Sequence, residues 1–444
     1  MNDTDTMNMG LADFSERGLI HQTTAELDPW LQEKPRTLYI GFDPTADSMH
    51  IGHLMQVMIL RRFQQAGHRP IALIGGATGM IGDPSGKSQE RNLLTVEQLS
   101  ANTVAIKCQM ESFLDFEESG GDAILANNLD WMQPITFLEF LRDIGKNFPV
   151  NVMLGKDSVK SRLDGAQVQK SWKDQPIKDG LSYTEFSYML LQAYDFVHLH
   201  QAYGCELQVG GSDQWGNITA GIDLGRRMHG LALKGMTCPL LTRSDGTKMG
   251  KTESGAIWLD PKRTSPYKFY QYWVNISDDD AGKCLRFLTE LEMAEIQKLD
   301  ESRQAEPHLR SSQKCLAEQV TRNVHGAEGF AVALQATEIF FGSEIHDLDD
   351  SQLLDIFADV PSVSASRDRL GSNEFTMIDA LVESGLCTSR SDARRAIEQG
   401  GGYVNNCRID SLDYVLTASD LASETVIVLR RGKKKYALIQ FANA

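Results

Sequence analysis

Leu38-Tyr39-Ile40-Gly41-Phe42, followed after a short polar interval by His50-Ile51-Gly52-His53, carries the reading on which the fold turns. The first five residues form an apolar run of strand length. His53 to Gln65 is largely apolar and closed by Gly67, as a buried helix would be. Pro70 to Ile74 is a second apolar run, ending in Gly75-Gly76. Strand, helix and strand at this spacing predict a βαβ unit, and hence an α/β domain with a parallel, doubly wound sheet. Leu207-Gln208-Val209, passing through Gly210-Gly211 into Asp213-Gln214-Trp215, repeats the strand-to-helix pattern. Ligands of such sheets lie beyond the carboxyl ends of the strands, where His50, Asp83 and Asp213 all fall.

Outward from this core the chain changes character. Residues from about 131 to 180 read as an inserted segment of helices and loops within a catalytic domain spanning 1–240. An α-helical domain follows over 241–350, and its aromatic run Tyr267 to Trp273 reads as helix-packing core. The acidic stretch Asp347 to Asp350 and the serines between Ser362 and Ser366 mark 351–372 as a linker. A small α+β module over 373–444 closes the chain.

With 444 residues, 41% hydrophobic and 23% charged, the composition is that of a soluble globular protein of two or three domains. No apolar run reaches membrane-spanning length, and Met1 to Asp13 is polar and acidic, unlike a secretory or transit sequence. The seven cysteines are scattered without a Cys-x-x-Cys pair, which suits reduced thiols in the cytoplasm and neither a disulfide framework nor a zinc site. The net charge of -16 disfavours a nucleic-acid partner at first sight. Yet residues 373–444 hold nine Lys+Arg against nine Asp+Glu, so all the excess negative charge lies before them. Their positive charges cluster at Arg390, Arg394 and Arg395, and again at Arg430, Arg431, Lys433, Lys434 and Lys435. Such a patch can hold phosphates on an acidic protein.

The chemistry concentrates in two segments far apart in the chain. His50 and His53 flank Gly52 where a strand hands over to a helix, and a helix start adds backbone donors to the two imidazoles. Lys248-Met249-Gly250-Lys251-Thr252 sets two ammonium groups in a loop. A His-x-x-His pair alone more commonly packs a turn, and two loop lysines alone are commonly solvated. In this order and combination they describe a site that grips a triphosphate. Gly82 to Ser88 imitates a phosphate-binding loop, but only three residues separate Gly82 from Gly86-Lys87-Ser88 where four are needed, and Ile81 is not glycine. Its glycines instead admit a ligand to the backbone, with Asp83 beside it for a cation.

Tyr39 to His53 closely resembles the signature region of bacterial tyrosyl-tRNA synthetases, class I aminoacyl-tRNA synthetases with a Rossmann-like catalytic domain. The resemblance continues through Gly75 to Lys87, Tyr183 to Asp195, Gln208 to Asn217 and Asp245 to Asp260. Ser389 to Asn405 is similar to the family's small RNA-binding module. The resemblance implies that Tyr39 and Asp195 hold the substrate phenol, a group that both donates and accepts. It implies further that Asp83, Tyr188 and Gln192 surround the ammonium, and that Gln208, Asp213 and Gln214 face the carboxylate and ribose. Gly41, Asp43, Thr45, His50, Gly52, His53, Gly211 and Met249 match nucleotide contacts. Lys87, Arg91, Lys248, Lys251 and Thr252 match residues that close from loops. Independently, Tyr188, Gln192 and Asp195 (i, i+4, i+7) share one helix face. Ile40 departs from the family's frequent cysteine, which removes a ribose contact, and Gly250 and Thr252 stand where class I enzymes often carry serine.

The implied reaction joins tyrosine and ATP into tyrosyl-adenylate and pyrophosphate, then passes tyrosine to the 3' end of its tRNA, in a cytoplasmic homodimer that meets through the inserted segment. Mg²⁺ would travel with the ATP, with no resident cofactor or metal. A tryptophan-specific synthetase would share the fold without needing the Tyr39/Asp195 pair. A small-metabolite nucleotidyltransferase or a non-enzymatic RNA-binding relative would leave, respectively, the C-terminal module or the filled pocket unexplained.

Overall fold

The computed structural model describes residues 9–85, 94–116, 123–156, 159–160, 181–252, 255–345, 348–358, 360–372 and 375–442. They form two compact units, one of Met1–Arg263 with Ile276–Leu316, the other of Thr264–Asn275 with Ala317–Ala444.

The first unit is built on a six-stranded sheet. Its strands are β1 (Gln22–Thr23), β2 (Thr37–Phe42), β3 (Arg69–Ile74), β4 (Ile124–Asn127), β5 (Cys205–Gly211) and β6 (Lys234–Cys238), in the spatial order β1-β6-β5-β2-β3-β4. All neighbours are parallel except β1, which lies antiparallel on β6 at the edge. The chain runs outward one way through β2, β3 and β4 and the other way through β5 and β6. The order therefore reverses between β2 and β5, and the crevice beyond their carboxyl ends is the natural ligand site. In register, Tyr39 of β2 pairs with Ile71 on one side and Gln208 on the other. Ile40, Ile71, Ala72 and Ile74 are buried, as parallel strands covered on both faces must be.

The helix after β2, Ile51–Gln65, buries Ile51, Leu54, Val57, Met58, Leu60 and Phe63. Its Arg61 pairs with Glu290, at 2.5 Å from Nε and 3.2 Å from Nη2, and the neighbouring Arg62 donates to the Thr289 carbonyl. These bonds tie Thr289 and Glu290 to this helix. The expected helical domain over 241–350 is accordingly divided, with 264–275 and 317–340 falling in the second unit.

That unit carries a five-stranded sheet ordered β11-β10-β12-β13-β9, from β9 (Ser362–Ser366), β10 (Gly402–Val404), β11 (Cys407–Arg408), β12 (Val426–Arg431) and β13 (Lys435–Ala442). Asn405 and Asn406 turn β10 into β11 with positive φ of 48° and 66°, a two-residue turn that asparagine tolerates. Both faces of the sheet are apolar. Ile427, Leu429, Ala437, Ile439 and Phe441 pack on the helices Met377–Glu383 and Arg390–Glu398. Val426, Val428, Tyr436 and Leu438 pack on Ala336, Ile339, Leu353, Ile356 and Phe357. The expected linker over 351–372 is thus a correction: it contains the rest of the helix Asp350–Ile356 and the strand β9, which pairs in parallel with β13. Serine content misled there, because the serines of Ser362–Ser366 occupy an edge strand where polar side chains are tolerated. In the aromatic run, Phe269 and Trp273 are fully buried, in keeping with a packing role.

Candidate active site

A cavity of about 420 Å³ opens at the reversal between β2 and β5. It is lined by Tyr39, Gly41, Asp43, Thr45, His50, Gly52, His53, Asp83, Tyr188, Gln192, Asp195, Gln208, Asp213, Gln214, Lys248 and Met249, all of them expected from the sequence. Gly211 lies one residue beyond lining Gly210. Lys251 and Thr252 form the short strand β7 (Lys251–Thr252), paired with β8 (Gly255–Ala256). Lys87 and Arg91 lie outside the described residues.

The histidine pair is set by helix capping. His50 is the N-cap of Ile51–Gln65, and its Nδ1 accepts from the Gly52 backbone N–H at 3.1 Å. His53 Nδ1 accepts from the His50 backbone N–H at 3.3 Å. A ring nitrogen that accepts from an amide carries no proton, so both neutral imidazoles hold theirs on Nε2. The rings stack at 3.9 Å with 6° between planes, giving two parallel donors at a helix N-terminus. Gly52 has a steric reason to be glycine: a Cβ there would stand 2.8 Å from His50 Cε1.

The lysine loop is strapped to this turn through the backbone. Ile51 N donates to the Ile257 carbonyl, Leu259 N to Met49 and Ile257 N to Gly250, at 3.1, 2.8 and 2.9 Å. Gly250 has φ +86°, and a Cβ on it would come within 2.4 Å of Ile51 Cγ1. The serine common at this position in class I enzymes has no room here.

Deeper in the cavity lies a polar chain. Asp195, 1% exposed, accepts from Trp131 Nε1 at 2.9 Å on one oxygen and from Asn128 Nδ2 at 3.0 Å on the other. Burial pushes its carboxyl up to about 7, against the downward pull of those two donors. Asn128 Nδ2 also donates to Thr78 Oγ1, which donates to Asp43, and Asp43 accepts a second bond from Tyr188 Oη at 2.9 Å. Tyr188 and Tyr39 are both held far above the ordinary phenol range, by burial first and then by Asp43 and Asp195 respectively. They remain neutral donors. Tyr39 Oη and Gln208 Oε1 are buried with no hydrogen-bond partner among the described residues.

On the other wall, Asp83 accepts from Ser85 N at 2.9 Å and from Gln214 Nε2 at 2.7 Å. Gln214 Oε1 accepts from Gln192 and Asn217, and Asn217 donates also to Gln192 Oε1 at 3.0 Å. Burial and then Asp83 raise Asp213, with Lys248 pulling the other way. Thr78, Asn128, Trp131, Ser85 and Asn217 were missed by sequence reading. The available signal for Asn128 was its place directly after β4, another carboxyl end in the same crevice. Among the described residues, no group of three or more His, Cys, Asp or Glu side chains is placed to hold a metal ion.

Residues 31–342 match the family model for class I tRNA synthetases specific for W and Y, and 352–439 match that of a tyrosine–tRNA ligase C-terminal domain. The chain is 55% identical to a tyrosine–tRNA ligase of Rhodopirellula baltica, over 99% of this chain and 98% of the other. The chain belongs to the tyrosine–tRNA ligases. It is 52% identical to the Roseiflexus castenholzii ligase over 96% and 97% of the two chains. A C-terminally truncated mitochondrial tyrosyl-tRNA synthetase of Aspergillus nidulans superposes with a TM-score of 0.64 at 32% identity, covering 74% of this chain and 93% of that one.

The basic residues expected to meet RNA in this ligase separate into two groups. Arg394, Arg395, Lys433, Lys434 and Lys435 are exposed, and Arg390 is exposed beside Asp379. Arg430 is a correction: it is only 8% exposed, with its guanidinium 3.8 Å over the Tyr403 ring and 5.8 Å from that of Tyr436. It alternates inward on β12 and serves packing. Arg431 is bound by both nitrogens to Asp392, at 2.8 and 2.7 Å.

Gly250→Ala should lower the unfolding free energy by about 1–3 kcal/mol, because a left-handed backbone and a clash at Ile51 act together. Urea denaturation checks this, and an unchanged midpoint would contradict the strapped geometry.

Proposed function

We propose that this site activates tyrosine with ATP, releasing pyrophosphate, and then passes tyrosine from the adenylate to the 3' end of its tRNA. The observation that carries the reading is Tyr39 Oη, buried and without a partner among the described residues, in the pocket where Asp195 is fixed by two donors. A phenol offers what this pair asks for: a hydrogen for Asp195 and a lone pair for Tyr39. An indole has a donor and no acceptor, and would leave the Tyr39 hydroxyl unmet. Gln192 and Asp83 bring acceptors for the substrate ammonium, and Gln208, beside Tyr39 in register, faces the substrate carboxylate.

The tyrosine carboxylate attacks the α-phosphorus of ATP as the bond to pyrophosphate breaks. The nucleophile is already ionised at neutral pH, so this step requires no general base. Rate enhancement then rests on alignment and on donors matched to charge growing on the phosphate oxygens. His50 and His53 supply two Nε2–H donors, with the helix N-terminus behind them. Lys248 and Lys251 supply positive charge, with Lys87, Arg91 and Thr252 as further loop contacts. Asp43, Thr45, Asp213 and Gln214 face the nucleotide. Mg²⁺ enters as part of the ATP substrate. In the second step a terminal ribose hydroxyl of the tRNA attacks the tyrosyl carbonyl carbon and AMP leaves.

The exposed apolar side chains Phe137, Leu138, Leu141, Val150, Val152 and Leu154 support a homodimer formed through this segment. Seven free cysteines accord with a reducing cytoplasm. No described helix is long and apolar enough to cross a membrane. Arg390, Arg394, Arg395 and Lys433 to Lys435 form the tRNA-facing surface of the C-terminal module.

Asp195→Ala should abolish most of the preference for tyrosine over phenylalanine. A site built around a hydroxyl rejects its lacking analogue by about 10⁴–10⁵, for which tyrosine against phenylalanine in this family is the standing illustration. In the wild type the same preference should weaken as pH falls through about 7, since a protonated Asp195 stops accepting from the phenol on that oxygen, while phenylalanine turnover stays level. Pyrophosphate exchange with both amino acids across pH 6–9 checks both outcomes; unchanged discrimination in the mutant would refute the assignment.

Replacing Arg394, Arg395, Lys433, Lys434 and Lys435 with glutamine should raise the KM for tRNA and flatten its salt dependence by roughly 0.7–0.9 in log–log slope per lost phosphate contact. Tyrosine-dependent pyrophosphate exchange should remain at the wild-type rate. An unaltered KM for tRNA would make these residues an ordinary solvated surface.

A further inference from the structure

Trp258 lies outside the cavity lining, yet it stands against the residue that begins the phosphate grip. Its backbone bridges that of His50 in the antiparallel pairing that straps the lysine loop to the histidine turn. Its ring centroid is 6.1 Å from that of His50, tilted by 52°. His50 is therefore bounded three ways: by the Gly52 amide at Nδ1, by the His53 ring at 3.9 Å, and by the Trp258 indole. The indole is itself held. The Arg263 guanidinium sits 3.5 Å from its ring centroid, and Arg263 Nη1 pairs with Asp47 at 2.5 Å.

Asp47 and Arg263 are the outer ends of the two paired segments. Between them, Asp260 N donates to Ser48 Oγ at 3.1 Å and Gln109 fastens Met49 N at 2.8 Å. As an exposed ion pair, Asp47–Arg263 contributes little stability by itself. What it provides is geometry: it holds a planar cation over the indole ring, where an arginine gains from both stacking and charge.

We propose that Trp258, pinned by Arg263, is a positioning residue that holds the His50 imidazole in line for the α-phosphate during adenylate formation. The inference rests on the functional reading given above and adds to it a residue that touches neither tyrosine nor the reacting atoms. Misplacing a preorganised donor by a fraction of an ångström is felt in the transition state far more than in ground-state binding, because charge on the phosphate oxygens grows only there. The ring stack of His50 and His53 gives the fault a direct route to both donors.

The test uses the full-length enzyme and single-turnover adenylate formation, with tyrosine Kd measured alongside. Trp258→Leu should slow adenylate formation about tenfold or more while tyrosine Kd stays within about twofold, since the tyrosine pocket is built from other elements. Trp258→Phe, which keeps an aromatic face, should recover most of the rate. Arg263→Gln, which leaves the indole present but unpinned, should lie between wild type and Trp258→Leu and decides the matter if the leucine variant does not fold. Wild-type rates in Trp258→Leu or Arg263→Gln, or a loss of tyrosine affinity equal to the loss of rate, would overturn the proposal. So would a phenylalanine variant as slow as the leucine one. A wild-type enzyme that forms no adenylate would instead overturn the functional reading, and this inference with it.

Discussion

The architecture of the site depends on one short antiparallel pairing, in which residues 257–259 lie along residues 49–51. Sequence separates the two imidazoles from the two lysines by most of the catalytic unit. Backbone bonds from Ile51, Ile257 and Leu259 hold the flanks of the lysine loop against the turn that carries the imidazoles. Gly250, left-handed and in contact with Ile51, permits the closest approach. Main-chain bonds resist rearrangement better than side-chain contacts, so this pairing fixes the flanks of the loop at the helix start. The lysine loop is anchored to the histidine turn by its flanks.

The deeper pocket follows a different economy. Asp195 is buried at a cost visible in its raised carboxyl, only part of which Asn128 and Trp131 recover. A protein selecting for stability alone would place an apolar residue there. Retaining a half-compensated carboxylate next to an unpartnered Tyr39 hydroxyl makes sense where a ligand completes the network. The chain of Asn128, Thr78, Asp43 and Tyr188 runs on from Asp195, so the two carboxylates share one hydrogen-bonded frame.

Much of this was legible in the sequence, for identifiable reasons. The βαβ pattern from Leu38 to Ile74 gave the parallel sheet because buried parallel strands read as unbroken apolar runs. The pocket helix was legible because Tyr188, Gln192 and Asp195 fall at helical spacing on one face. What escaped was long-range. Nothing local marks Asn128 or Trp131 as partners of a carboxylate 67 and 64 residues away. The serine-rich strand β9 looked like a linker because its partner β13 comes some seventy residues later and its exposed edge tolerates polar side chains. Arg430 was misread for a related reason: a basic run on a strand alternates in and out, and composition does not say which charge faces inward. The need for glycine at 52 is a steric demand of His50 that only the capped turn makes visible.

If the histidine turn and the lysine loop act as one phosphate clamp, their contributions to adenylate formation are coupled. A double-mutant cycle between His50→Ala and Lys248→Ala, read in the single-turnover rate of adenylate formation, measures this. A shared clamp predicts that the two losses fall short of additivity by about 0.5–3 kcal/mol, since removing one side spoils what the other holds. Strict additivity would show that the two segments act independently and would contradict the account.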